Sequence, residues 1–216
     1  FNGYDNTAIR GQLLSRPSDS LELLLTADYS EDNSISPGRN VGTEFLQAQI
    51  VEAGPYDPGF YENLLSEEPH SWIDSWGLSL QADWDIGDGT LTSITAYRQA
   101  DADVRDLAFA VDYQYLGLAS LDNFFVEEGE QFSQEVRYAM DLSDSLFLQA
   151  GVYYLNEQVD RIESSAIVCG LICRRPASSP ITLPTSSADQ SNETNSYGVF
   201  AQAAWSMTDR LKLTLG

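Results

Sequence analysis

Apolar residues recur at every second position along much of the chain. In "SLELLLTADYS", Leu21, Leu23, Leu25, Ala27 and Tyr29 alternate with Glu22, Thr26, Asp28 and Ser30, and Leu24 is out of step. In "WGLSLQADWDI", Trp76, Leu78, Leu80, Ala82, Trp84 and Ile86 alternate with Gly77, Ser79, Gln81, Asp83 and Asp85. "FSQEVRYAMDL" sets Phe132, Val136, Tyr138, Met140 and Leu142 against Ser133, Glu135, Arg137 and Asp141, and Gln134 breaks the pattern. "YGVFAQAAWSM" sets Tyr197, Val199, Ala201, Ala203, Trp205 and Met207 against Gly198, Gln202 and Ser206, and "RLKLTL" continues in kind. A period of two sends successive side chains to opposite faces, so these segments predict strands with one apolar face. The stretches at 90–103 and 145–160 also read as strands, but their alternation does not assign a face.

The connections carry more information than the strands. Short ones, "SRPSDS" at 15–20, "GDG" at 87–89, "LSDS" at 142–145 and "MTDR" at 207–210, alternate with long ones near 31–71, 104–129 and 162–194. The short ones hold the Gly, Pro, Asp and Ser that tight turns require. In an up-and-down antiparallel sheet successive connections lie at opposite ends. All short turns therefore fall on one side and all long loops on the other, as in outer-membrane barrels. Irregular loops beyond about 15 residues are uncommon in compact domains and usually functional.

No run approaches the ~18 consecutive apolar residues of a transmembrane helix, so a membrane crossing here would use strands. Lipid offers no hydrogen bonds to backbone, and such a sheet must close into a barrel. Its outer face is apolar, with aromatic rings near both headgroup levels. Trp76, Trp84, Tyr138 and Trp205 are the candidates for those rings. Trp76 and Trp84 share a face at a separation of about 26 Å along the strand, close to the ~25 Å apolar band before tilt shortens it. Gln81, Asp83, Glu135, Arg137 and Gln202 would face the lumen. Eight strands can close alone, but a barrel that small is filled by its own side chains. Long loops and a chain that starts at Phe1 without a start methionine and stops in mid-strand point instead to an internal piece of a wider barrel.

Composition narrows the partners. The 216 residues include 33 acidic and 11 basic ones, a net charge of −22, which nucleic-acid phosphates would repel. The acid concentrates in the long connections, for example Glu31, Asp32, Glu44, Glu52, Asp57, Glu62, Glu67 and Glu68 in the first. Solubility of exposed loops is the simple reading; attraction of cations, or of divalent ions bridging to anionic headgroups, is the other. The two cysteines, Cys169 and Cys173, lie in "CGLIC", and there is one histidine, too few ligands for a metal site. A redox dithiol normally has two residues between its cysteines, so a small-loop disulfide in an oxidising compartment fits better, with two free thiols as the alternative. No nucleophile–base pair is suggested, so the chain reads as neither an enzyme nor a cofactor protein. Binding candidates are the loop residues Tyr113, Tyr115, Phe124 and Phe125, with Tyr56, Phe60, Tyr61, His70 and Trp72 in the first long segment. Their rings suit stacking on a small-molecule ligand or a sugar, or packing of one loop on another. Arg174 and Arg175 suit an anionic chelate, or stand solvated.

The segments "GQLLSRPSDSLELLLTADYSEDN", "LTSITAYR", "FSQEVRYAMDLSDSLFLQAGVYYLNEQ" and "NSYGVFAQAAWSMTDRLKLTLG" together resemble the barrel of TonB-dependent outer-membrane receptors of Gram-negative bacteria, closest to the iron-complex (siderophore) branch. "SITAYR" and "FSQEVR" are the most specific pieces. The resemblance implies an all-β, antiparallel up-and-down barrel of about 22 strands with a plug inside, of which this chain supplies about eight. It implies a small-molecule metal chelate or similar ligand held by outer loops and plug, and a TonB complex that acts on the plug. Residues 1–216 would form a partial barrel domain, with its own plug and the remaining strands lying outside it. Two rivals stand beside this reading: a passive or adhesive outer-membrane barrel without TonB coupling, and a soluble carbohydrate-binding β-sandwich whose apolar face packs on a second sheet.

Overall fold

A computed structural model describes residues 3, 5–35, 69–109, 119–169, 181–208 and 210–216. They form one antiparallel sheet of β1 (Asn6–Ser18), β2 (Leu21–Ser34), β3 (His70–Ile86), β4 (Gly89–Phe109), β5 (Ala119–Ser143), β6 (Leu146–Cys169), β7 (Ile181–Thr208) and β8 (Leu211–Leu215). Each strand pairs with its neighbours in chain order, from β1 to β8, and the sheet does not close on itself. The up-and-down order expected from the alternating connections is therefore present.

The short turns are tight for identifiable reasons. Ile86 pairs with Gly89, leaving a two-residue connection in which Gly87 has φ 62°. Primed hairpin turns need positive φ at their first central position, and glycine takes it without a Cβ clash. Tyr138 closes over this turn and donates its hydroxyl to the Ile86 carbonyl oxygen at 3.0 Å. Pro17 falls where the β1–β2 register shifts, and Pro184 opposite a shift on β6, the places where a missing backbone N–H does least harm.

Two of the long connections prove shorter than their sequence suggests. Strand continues through most of 104–129 and 162–194, so β5 has 25 residues and β7 has 28. Beyond the apolar alternation polar residues stand on both faces, and segments such as "TSSADQSNETN" lose the apolar marker of a strand while keeping its hydrogen-bond ladder.

Register sorts every described residue onto one of two faces. The apolar face carries Leu21 to Tyr29 of β2 opposite Trp84 to Trp76 of β3. It settles the two strands whose faces the sequence left open: Leu91, Ser93, Thr95 and Tyr97 of β4, and Leu148, Ala150, Val152 and Tyr154 of β6, belong to it. Gln134, the break in the β5 pattern, also lies there, and its amide is satisfied: Thr95 donates to its Oε1 at 2.6 Å, and its Nε2 donates to Ser93 Oγ at 3.0 Å. Aromatic rings bound the face at both ends. Near the turns stand Trp84, Tyr138 and Trp205; at the far end a chain of rings crosses six strands through Tyr29, Trp76, Tyr97, Phe132, Tyr154 and Tyr197. Three of its steps are ring contacts, with centroids 5.3 Å apart for Trp76–Tyr97, 6.3 Å for Phe132–Tyr154 and 5.0 Å for Tyr154–Tyr197. Past this girdle the same face turns acidic, and Glu31, Asp74, Asp101, Glu128 and Asp160 align in one cross-strand row. Hydrogen bonds from Ser191 and Gln158 hold the Asp160 carboxyl below the ordinary carboxylate range.

Among the described residues there is no second layer. Cys169 and Ala204 are the buried hydrophobics, whereas Trp76, Trp84 and Trp205 stay 41–51% exposed. The apolar face is thus not packed on another sheet, as the soluble-sandwich reading requires.

Candidate functional site

The opposite face is mainly polar on β2, β3 and β5, and Ile94, Phe147, Tyr153, Leu155 and Phe200 interrupt it on β4, β6 and β7. Gln81 and Asp83 of β3, Glu135 and Arg137 of β5 and Gln202 of β7 all lie on it, as the alternation predicts. At the level of the far aromatic girdle one row crosses seven strands: Arg10, Asp28, Gly77, Arg98, Gln131, Glu157 and Thr194. Gly77 is the saddle of this row. Arg98 Nη2 reaches across it to Asp28 Oδ1 and Oδ2, at 3.0 and 2.7 Å, joining β4 to β2 over the intervening strand. A Cβ on Gly77 would stand 2.7 Å from that Nη2, so the bridge exists because the side chain is missing. Ser79, Ala96 and Ser133 are small, and with the bridge they line a depression of about 250 Å³.

A second groove, of about 290 Å³, opens beside it between β5, β6 and β7. Glu127, Glu157, Val159, Arg161, Gln190, Asn192 and Thr194 line it, and Gly129 supplies no side chain on the β5 side. Arg161 is its anchor. The guanidinium lies 3.8 Å from the centroid of the Phe125 ring and reaches Glu127 and Glu163 at 3.4 Å each. Its Nε is buried with no hydrogen-bond partner, so the stack on Phe125 and two long ion pairs hold it. Three other cations of this face are matched in the same way: Arg16 with Glu22 at 2.7 Å, Arg98 with Asp28, and Arg137 with Glu135 at 2.8 Å. Among the described residues Glu157 has no arginine or lysine beside it.

The candidate residues named from sequence are placed unevenly. Phe124 and Phe125 stand on β5, not on a loop, and adjacent strand residues face opposite ways. Phe125 is covered by Arg161, whereas Phe124 lies on the other face beside Arg105, which pairs with Asp122. The two rings therefore cannot grip one ligand. His70 and Trp72 begin β3 on the apolar side, their rings stacked at 4.1 Å, with His70 Nε2 3.3 Å from Asp103. Cys169 is buried at the end of β6 and is disulfide-bonded. Tyr56, Phe60, Tyr61, Tyr113, Tyr115, Cys173, Arg174 and Arg175 lie outside the described residues. The groove around Arg161 escaped sequence reading because it sits in a segment read as loop edge. Its one signal is the period-two series Glu157, Val159, Arg161, Glu163.

A family model described as "TonB dependent receptor-like, beta-barrel" matches residues 10–216. No curated protein matches the chain.

Proposed function

The chain belongs to the family of TonB-dependent receptor-like β-barrels, and from that premise we propose that it forms part of the wall of a receptor that imports a ferric siderophore with TonB-coupled energy. Members of this family are outer-membrane transport receptors rather than enzymes. The carrying observation is the pair of aromatic girdles bounding a continuous apolar face, with a polar, groove-bearing face behind it. Lipid meets the first face, where Trp76, Trp84, Tyr138 and Trp205 take the two headgroup levels. The second faces a lumen filled by the plug, through which TonB acts, and the remaining strands complete the wall. The cell is then a Gram-negative bacterium.

The test is growth of a strain lacking the gene under iron limitation, supplied with single ferric siderophores. Loss of growth and of labelled-iron uptake on at least one of them is expected. Unimpaired growth and uptake on every siderophore tried would overturn the iron reading. A full-length product that stays soluble without detergent would overturn the membrane reading itself.

A further inference from the structure

From the groove on the polar face we infer that the ligand is a ferric complex of zero or positive charge, of the hydroxamate type, and that Glu127 and Glu157 select against anionic chelates. The inference rests on the ferric-siderophore reading and adds the charge class of the ligand.

The argument starts from which charges are available. An anionic chelate needs cations that are not already neutralised. Among the described residues, the arginines that β4 to β7 place on this face, Arg98, Arg137 and Arg161, each have a carboxylate within 3.4 Å. Arg161, the one cation lining the groove among the described residues, is shared between Glu127 and Glu163 and stands 3.8 Å over the Phe125 ring. An incoming anion would have to displace these carboxylates or stand beside them. Glu157 adds a further negative charge to the lining without a cation beside it among the described residues.

The rest of the lining is neutral and can hydrogen-bond in both directions. Gln190, Asn192 and Thr194 project from β7 in one column, opposite Arg161, Val159 and Glu157 of β6. Amides and hydroxyls of this kind match the amide, hydroxamate and oxime-like oxygens of an uncharged ligand shell. In a tris-hydroxamate, three singly charged donor groups neutralise the ferric ion, and a free amine on the ligand backbone makes the complex cationic. In a tris-catecholate the donors overcompensate, and the complex is strongly anionic. Opposite charge attracts the first kind to this wall and like charge repels the second, over distances at which salt screens only part of the field. The location strengthens the effect. Glu157 shares a row with the far girdle, and Glu127 lies further out, where an arriving ligand first meets the wall.

The experiment uses the full-length receptor purified in detergent, with three probes: cationic ferrioxamine B, neutral ferrichrome and anionic ferric enterobactin. Affinities are measured by quenching of intrinsic fluorescence at low and physiological salt. The wild type is expected to bind a hydroxamate probe at least tenfold more tightly than ferric enterobactin. The double variant Glu127→Gln/Glu157→Gln is expected to shift the ratio of ferrioxamine B to ferric enterobactin affinity about tenfold toward the anion. That ratio is insensitive to a general loss of folded protein. Arg161→Gln is expected to move the same ratio the other way. Ferric enterobactin bound as tightly as the hydroxamates, or a ratio unmoved by the double variant, overturns this inference and leaves iron transport standing. Binding of none of the three, together with unimpaired growth of the deletion strain, overturns both.

Discussion

At the scale of single residues, this wall is shaped by side chains that are missing. Gly151 of β6 is one such position. A Cβ there would lie 2.5 Å from the Phe200 ring, 2.8 Å from the Val136 carbonyl oxygen and 2.9 Å from Arg137 Cβ. Phe200 can swing away, but a carbonyl held in a sheet ladder cannot. Gly89 is similar, with the Ala139 carbonyl oxygen and the Tyr138 ring in the way of a Cβ. Gly11 has nothing within 4 Å and is the control. Gly151→Ala and Gly89→Ala should each destabilise the folded receptor by about 1–3 kcal/mol through overpacking. Gly11→Ala should change stability by no more than about 0.5 kcal/mol. The midpoint of urea unfolding in detergent, read for all three, checks this ordering. Equal midpoints for Gly151→Ala and Gly11→Ala would contradict the packing account.

At the scale of strands, the row of Glu31, Asp74, Asp101, Glu128 and Asp160 puts like charges directly opposite across four strand pairs. Like charges at facing positions cost stability, about 0.2–1 kcal/mol per pair, and salt screens the cost. Glu128 is an interior member, facing Asp101 on one side and Asp160 on the other. Glu128→Gln should therefore raise the unfolding midpoint at low salt, and the gain should shrink as sodium chloride is added. A gain independent of salt would mean that something other than charge is at work. This row also marks where sequence reading stopped working. Between the girdles the two faces carry contrasting side chains, so β2, β3 and the turn halves of β5 and β7 were legible as strands with assigned faces. Above the far girdle polar residues stand on both faces, and the outer halves of β5, β6 and β7 read as loop. Even inside the band β4 was ambiguous, because Ser93 and Thr95 face the apolar side and are satisfied there by Gln134.

At the scale of the whole molecule, the aromatic ends of the apolar face were legible from a few residues and the candidate groove was not. Trp76 and Trp84 bracket an apolar run on one strand, and Tyr197 and Trp205 repeat that spacing on β7. The groove of Glu127, Glu157 and Arg161 depends on register across three strands, which no single stretch of sequence displays. The girdles make a depth scale that can be tested in a bilayer. Spin labels placed one at a time on β3 of the full receptor, at Asp74, Trp76, Leu80 and Trp84, should sample three kinds of environment. Oxygen partitions into hydrocarbon and a polar nickel chelate into water, so the ratio of their accessibilities reports depth. Leu80 lies midway between the rings and should show the highest oxygen-to-nickel ratio. Positions 76 and 84 should give intermediate values, since headgroup levels lie about 25 Å apart. Asp74, in the acidic row, should report water despite sharing the same face. Ser79, one residue from Leu80 but on the polar face, should give a low ratio, because its label enters the lumen rather than lipid. A label at Asp74 as oxygen-accessible as one at Leu80 would move the membrane boundary outward and place the acidic row in hydrocarbon. The family fold could then stand, but the assignment of the far girdle to the headgroup level would be wrong.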